Sequence, residues 1–492
     1  MERFTAIPRV FEDLIESRAT LIRFVNSMFS AKISLLASFV TLLPVTGVTL
    51  AQGLPMTDAE RQQQRSVQEG ERAARAIPPL PIPLALSANG IEQIPRTTML
   101  GGSSSYKDGG LAPAAGPKTY CLMKVFKEVA WRICVTDMGL KALWVGPVDL
   151  RPTPTSPWVR VLYQAGLADI FVPYHRGTPA TRLYDLHFTT ALDPVTSQDM
   201  GSNGSLITLS GESVPTVVAE VRDRGVAWLC KEKTAATRRG EELILWGVSD
   251  AGNYDNIVQY GFRDDGVITF RMGNTGFNEP SRAGEAHMHT GLWRVDVDLN
   301  GPGGDSAFLL AHKEPSSFLN LLKATDQKTP FTVEGRRPWI ASEFTSLLIE
   351  YTATNTFGNR PGYEFVLMQP GTSRHYGPME SWTHNDFYVT VYNPNNLGWV
   401  TTWNFPDNYL LPDLNGGSTN NNDLVVWVKA SAHHDPTDED RSVNDRITGG
   451  ITGVTPVHWS GFNMEPHNLF ETNPLGGPVR CDVPPPCSPL TC

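Results

Sequence analysis

Residues 287–299 read HMHTGLWRVDVDL and are closed by Asn300-Gly301. Trp293, Val295 and Val297 give this run the aromatic and β-branched bias of a strand, and the Asn-Gly pair ends it. Working outward, the same texture recurs. WRICV (131–135), ALWVG (142–146), WVRVLY (158–163), LILWGV (243–248), VITFRM (267–272), SLLIEY (346–351), FYVTVY (387–392) and DLVVWVKA (423–430) are short β-type runs bounded by Gly, Asn, Asp or Pro. Helical periodicity is nearly absent, and no repeat of 20–50 residues is visible, which argues against propellers and solenoids. The fold expected is all-β: one large antiparallel β-sandwich over residues 118–480. With 43 Gly and 38 Pro the chain has turn formers for many strand connections. Its 41 Lys plus Arg against 51 Asp plus Glu give a net charge of −10, and no basic run offers a phosphate footprint, so a nucleic-acid partner is excluded.

Ahead of the β-rich region the composition changes twice. Residues 1–52 read as an export segment: the apolar run 33–51 follows Arg18, Arg23 and Lys32 and ends in small residues. Pro44 and Gly47 weaken it as a membrane anchor, although a run of this length just spans a bilayer if retained. Residues 53–117 read as a Pro/Gly/Ser-rich linker, and residues 481–492, CDVPPPCSPLTC, as a Cys/Pro-rich tail. The expected location is secreted or periplasmic, or membrane-anchored through 33–51. Export permits disulfides. Cys121 and Cys134 are close enough to pair across adjacent elements; Cys230 and the three tail cysteines leave the remaining connectivity open.

The chemistry begins with His287 and His289. Residues i and i+2 of a strand share a face, so both imidazoles project toward one ion. A third imidazole from another strand completes a Cu(II) or Zn(II) site, and His433 and His434 are the candidates. Alternation along Val426, Val428, Ala430 and Ala432 puts His434 on their face. Tyr254 lies in Asn253-Tyr254-Asp255-Asn256, a Gly-flanked break between two strands, where a tyrosine is ordinarily a packing or turn residue.

Together these stretches resemble the catalytic domain of the copper amine oxidases, the topaquinone-containing primary-amine oxidases. GNYDN (252–256) is similar to the family's cofactor motif, which implies Tyr254 as the tyrosine oxidised to the quinone that forms a Schiff base with the amine, with Asn253 and Asp255 flanking it. HMHTGLWRVDVDLNG (287–301) resembles the copper-binding strand with ligands His287 and His289. HDPTDED (434–440) resembles the segment of the third ligand, a His followed five and six residues later by acids, which selects His434 with Glu439 and Asp440. LADIFVPYHRGTPATRLYDLHF (167–188) looks like the segment whose Asp is the proton acceptor, here Asp185, and whose Tyr hydrogen-bonds the quinone O4, here Tyr174. NMEPHNLFETNP (463–474) resembles the domain's closing segment.

The resemblance implies Cu²⁺ and topaquinone as cofactors, a primary amine and O2 as substrates, aldehyde, ammonia and hydrogen peroxide as products, and a homodimer. It also implies a peripheral Ca²⁺ site from Asp296, Asp298 and Asp423 with the carbonyls of Val297 and Leu424; hard oxygen ligands suit that ion. Departures are Asp250 where the family has Thr, Leu183 where it has Tyr, and a shortened loop between Tyr174 and Asp185. Leu183 and the shortened loop support an alternative, a catalytically impaired relative serving as a metal-binding structural or binding module. A zinc hydrolase using the same three His lacks an HExxH-type general base.

Overall fold

Strand-forming runs with turn residues between them pair here with their neighbours along the chain and across it. The structure, a computed structural model, describes residues 84–99, 118–139, 142–174, 182–187, 192–231, 236–313, 325–369, 378–394, 396 and 405–476. Among the described residues all of the strand pairing is antiparallel. Ten strands form the first sheet, in the order Ile91–Gln93, Lys118–Val125, Ala130–Asp137, Leu143–Arg151, Val159–Pro173, His287–Val297, Leu424–His434, Phe387–Val391, Gly335–Arg337, with Arg182–Tyr184 added beside Val159–Pro173. Eleven form the second: Thr325–Pro330, Asp305–Lys313, Ser346–Tyr351, Gly362–Leu367, Val454–His467, Ile268–Phe277, Tyr254–Arg263, Ala236–Asp250, Val217–Cys230 and Gly204–Ile207, with Asn420–Asn422 against Asp305–Lys313. This is the large antiparallel sandwich expected from the strand texture.

The sheets meet over a continuous apolar core that includes Trp131, Tyr260, Phe270, Trp293, Val426, Val428 and Phe462. Two buried polar handles tie one sheet to the other: Trp131 Nε1 donates to the Arg263 carbonyl at 2.9 Å, and Tyr260 Oη donates to the Leu143 carbonyl at 2.6 Å. Such bonds remove the cost of burying an indole N–H or a phenol.

Every residue of His287–Val297 is buried. The second sheet covers one face. The other face packs under residues 378–394 and 405–414, where Leu292, Trp427, Val425 and Phe171 meet Trp382, Tyr388, Tyr409 and Leu410. Double coverage explains how a strand with polar residues at 294, 296 and 290 can be central. Arg294 Nη2 donates to Asp296 Oδ2 at 3.2 Å, and neither side chain is more than 1% exposed. On the next strand Lys429 Nζ sits 3.0 Å from Asp386 Oδ1 and donates to the Thr383 carbonyl at 2.6 Å, anchoring the covering layer.

Part of the expected linker falls within the described residues. Within 53–117, residues 86–93 form a 3₁₀ turn and the edge strand Ile91–Gln93, registered on Leu122–Lys124. The reason is Ile91, 1% exposed, which joins the core at the sheet edge. Cys121 and Cys134 face each other in the first hairpin and form a disulfide. Cys230 is also disulfide-bonded. The export segment 1–52 and the tail 481–492 lie outside the described residues. No described helix is long and apolar enough to cross a membrane.

Candidate active site

The site lies between the sheets. Strand pairing places His287 opposite His434, and His289 opposite Ala432, on the central pair of the first sheet. Because i and i+2 share a face, all three imidazoles point into the core. Their ligand atoms lie within 4.8 Å of one another and all three residues are buried. His433 is exposed on the opposite face.

The hydrogen-bond network dictates which nitrogens carry lone pairs. His287 Nδ1 lies 2.8 Å from the Glu285 carbonyl, which can only accept, so Nδ1 carries the proton and Nε2 the lone pair. His434 Nε2 lies 3.2 Å from Asp440 Oδ2, so the proton goes there and Nδ1 keeps the lone pair. Those two lone-pair nitrogens, His287 Nε2 and His434 Nδ1, are 3.2 Å apart. His289 is fully buried and neither ring nitrogen has a hydrogen-bond partner; burial, then the neighbouring imidazoles, hold it neutral by driving its pKa well below the ordinary value. Converging lone pairs beside an unsatisfied buried imidazole fit a soft-to-borderline divalent cation.

Tyr254 comes from the second sheet. Strand Ala236–Asp250 turns at Gly252 (φ +95°), where Asp250 Oδ1 accepts the Gly252 N–H, and Tyr254 opens the returning strand. Asn253 anchors the turn by donating from Nδ2 to the Phe277 carbonyl at 3.0 Å. Gly276 (φ +106°) permits the approach, since a Cβ there would sit 2.3 Å from the Asn253 carbonyl. Tyr254 Oη then reaches His287 Nε2 at 2.7 Å, with its ring 4.7 Å from that of His289. Tyr174 stacks on His287 at 4.6 Å. Its hydroxyl is buried without a well-formed hydrogen bond but near enough to Tyr254 for the two phenols to affect each other; burial is the main force raising both pKa values.

Asp185 follows the short strand Arg182–Tyr184 and is 3% exposed. Burial lifts its carboxyl to about 7, opposed by Asn256 Nδ2, which donates to Asp185 Oδ2 at 3.4 Å, and assisted by the charge of Asp169. Asn274 Nδ2 in turn donates to Asn256 Oδ1. Asn256 is two residues beyond Tyr254 and shares its face, so strand alternation alone would have found it. Asp255 lies on the other face, half-exposed, away from the imidazoles. His458, from Val454–His467, sits with its ring 4.3 Å from that of His434; a lone His one residue before a Trp carried no sequence signal. Asp296, Asp298 and Asp423 gather a second set of carboxylate oxygens within 4.8 Å, next to the registered pair Val297 and Leu424.

A family profile described as "Copper amine oxidase, enzyme domain" matches residues 222–479, just over half of the chain. The chain belongs to the copper amine oxidase family. The matched stretch carries Tyr254, the three imidazoles and the Asp trio, while Tyr174 and Asp185 lie upstream of it. Primary amine oxidase 2 of Arabidopsis thaliana is 23% identical over 395 residues, covering 67% of this chain and 55% of the relative. Primary amine oxidase of Klebsiella aerogenes is 23% identical over 406 residues, covering 68% and 51%. The crystal structure of Aspergillus nidulans amine oxidase shares the fold, with a TM-score of 0.57 and 20% identity over 73% of this chain and 52% of that one. The chain thus spans about half the length of the copper amine oxidases it matches.

Proposed function

We propose that this copper amine oxidase family member is a primary-amine oxidase dependent on copper and on topaquinone made from Tyr254. The reaction is RCH2NH2 + O2 + H2O → RCHO + NH3 + H2O2. The observation that carries the reading is the Tyr254 hydroxyl, 2.7 Å from His287 Nε2 and inside a buried cluster of three imidazoles. Copper would be held by His287 Nε2, His434 Nδ1 and a nitrogen of His289. When bound, copper supplies redox exchange with O2, and the quinone supplies an electron sink for amine oxidation.

The remaining work falls to the protein's own groups. Asp185 takes the proton from the carbon beside the amine nitrogen; a carboxyl with a pKa of about 7 is matched to accepting and returning a proton near neutrality. Asn256 holds that carboxylate by its amide N–H. Tyr174 lies beside Tyr254 in the same buried site, and its own ring braces His287. Asn253 keeps the turn that aims residue 254, and Asp255 is registered on Thr275 and Asp250 in the strand ladder. The two sheets exclude water from the cluster, which strengthens each polar contact in it.

Three further proposals accompany the enzyme. Asp296, Asp298 and Asp423, with the Val297 and Leu424 carbonyls, bind Ca²⁺. The protein works outside the reducing cytosol as an exported or anchored homodimer; the Cys121–Cys134 disulfide supports the compartment. The acidic net charge of −10 favours cationic amines.

The alternative, a metal-binding module without turnover, draws on Leu183 and on the burial of both Tyr254 (2% exposed) and Asp185 (3%). One experiment separates the two. Protein incubated aerobically with Cu²⁺ is expected to turn pink, to react with phenylhydrazine and to release peroxide with a primary amine. Tyr254→Phe should stay colourless, and Asp185→Asn should keep the colour while losing turnover by two or more orders of magnitude. A wild-type protein that binds copper yet stays colourless and unreactive would sink the oxidase reading.

A further inference from the structure

We propose a second divalent-cation site, formed by His434, Asp440 and His458 on the solvent side of the imidazole trio. It takes Zn²⁺ or Cu²⁺ and shares His434 with the proposed copper centre.

The three residues come from three places in the chain. His434 ends Leu424–His434, Asp440 closes the 3₁₀ turn Asp438–Asp440, and His458 arrives from the opposite sheet, registered on Asn274. One ligand atom from each lies within 4.8 Å of the others. The His434 and His458 rings are 4.3 Å apart and inclined by 31°. The turn that carries Asp440 is itself fixed: Thr437 and Asp440 make a reciprocal capping box, and Asp440 Oδ2 accepts the Thr437 N–H at 2.8 Å.

The polar groups here are only partly satisfied. Asp440 is 3% exposed, and its Oδ1 is buried with no hydrogen-bond partner. His458 Nε2 is likewise buried without a partner, although the residue as a whole is half-buried. A buried carboxylate oxygen and a buried imidazole nitrogen, each left unpaired in one cluster, are costly unless something cationic satisfies them. The outer nitrogen of His434, Nε2, faces the same spot, 3.2 Å from Asp440 Oδ2. Two imidazoles and one carboxylate, with a position left for water, make an open zinc-type site.

His434 can serve both ions because its two nitrogens point in different directions, Nδ1 toward His287 and Nε2 toward Asp440. A second ion held at His434 Nε2 would take the place of the proton there, which would leave to solvent. The competing account is that Asp440 merely orients His434 and His458 merely packs on it. Metal counting distinguishes the two.

The full chain, freed of metal with chelator, would be dialysed to equilibrium against Cu²⁺ or Zn²⁺ and its bound metal measured by mass spectrometry. The second site and the copper centre together predict two ions per wild-type chain, one in His458→Gln, one in Asp440→Asn and one in His289→Ala. If both His458→Gln and Asp440→Asn bind as many ions as wild type, or only one of them loses an ion, the three-ligand site is overturned. If the wild type binds a single ion that survives in His289→Ala and is lost in His458→Gln, the copper centre fails and the second site stands. Circular dichroism of each variant shows whether a lost ion reflects a lost fold. The Asp440→Asn variant, which keeps an acceptor for the Thr437 N–H, guards against misfolding of the His458 variant.

Discussion

Asp185 shows how burial makes chemistry from an ordinary side chain. In water its carboxyl would be ionised from about pH 4 upward. Between the sheets, desolvation lifts it to about 7, while the Asn256 amide pulls the other way. A base works only when deprotonated, so kcat/KM for amine oxidation is expected to rise with pH and level off above about 7, falling tenfold per unit below that. Asn256→Leu removes a donor that favours the charged carboxylate, so the acid limb should move upward. A hydrogen bond to a charged group contributes about 1.5–3 kcal/mol, or about one to two pH units. The check is a kcat/KM profile from pH 5 to 9; a limb that stays in place would mean that Asn256 does not tune the base, and a limb absent altogether would count against Asp185.

At the scale of the element, the strand Val159–Pro173 illustrates what pairing demands. Gly166 lies beneath the indole of Trp144 on the neighbouring strand, and a Cβ there would come within 2.2–2.3 Å of three ring carbons. Trp144 is held in that place by its Nε1, which donates to the Leu167 carbonyl at 3.1 Å. Gly166→Ala should therefore displace the indole and destabilise the protein by about 1–3 kcal/mol, the usual cost of overpacking a core. Urea denaturation of the two proteins measures it; an unchanged midpoint would show that the indole yields freely. The same element carries Tyr174 next to its end and Asp169 within it, so its register also sets the spacing between the proposed base region and the imidazoles.

For the whole molecule, the Asp296, Asp298 and Asp423 cluster joins chain segments more than a hundred residues apart. If Ca²⁺ binds the folded protein and not the unfolded chain, 100 Kd of the ion adds about 2.7 kcal/mol of stability. The melting temperature should then rise by several degrees on adding Ca²⁺ to chelator-treated protein, and Asp298→Asn should abolish the rise without affecting copper content. Calorimetry with and without the ion tests this, and equal melting temperatures would remove calcium from the account.

Much of this was legible in the order of residues. Short β-rich runs divided by turn formers make a sandwich whatever their partners, because strand propensity and turn chemistry are local. The period of two put His287 and His289 on one face, since side-chain direction follows from backbone geometry alone. Pairing across the fold was a different matter. That His434 falls opposite His287, that Asn256 reaches Asp185, and that His458 stacks beside His434 all depend on register between strands far apart in sequence. The order of residues likewise did not reveal that Arg294 and Lys429 lie in a fully buried layer, because burial on the second face comes from residues 378–394 and 405–414. The edge strand within the expected linker belongs to the same class: Ile91 orders its surroundings only because a sheet edge with room for it exists. Local rules act through neighbouring covalent geometry, whereas protonation states, lone-pair directions and ligand sets follow from what packing excludes from water.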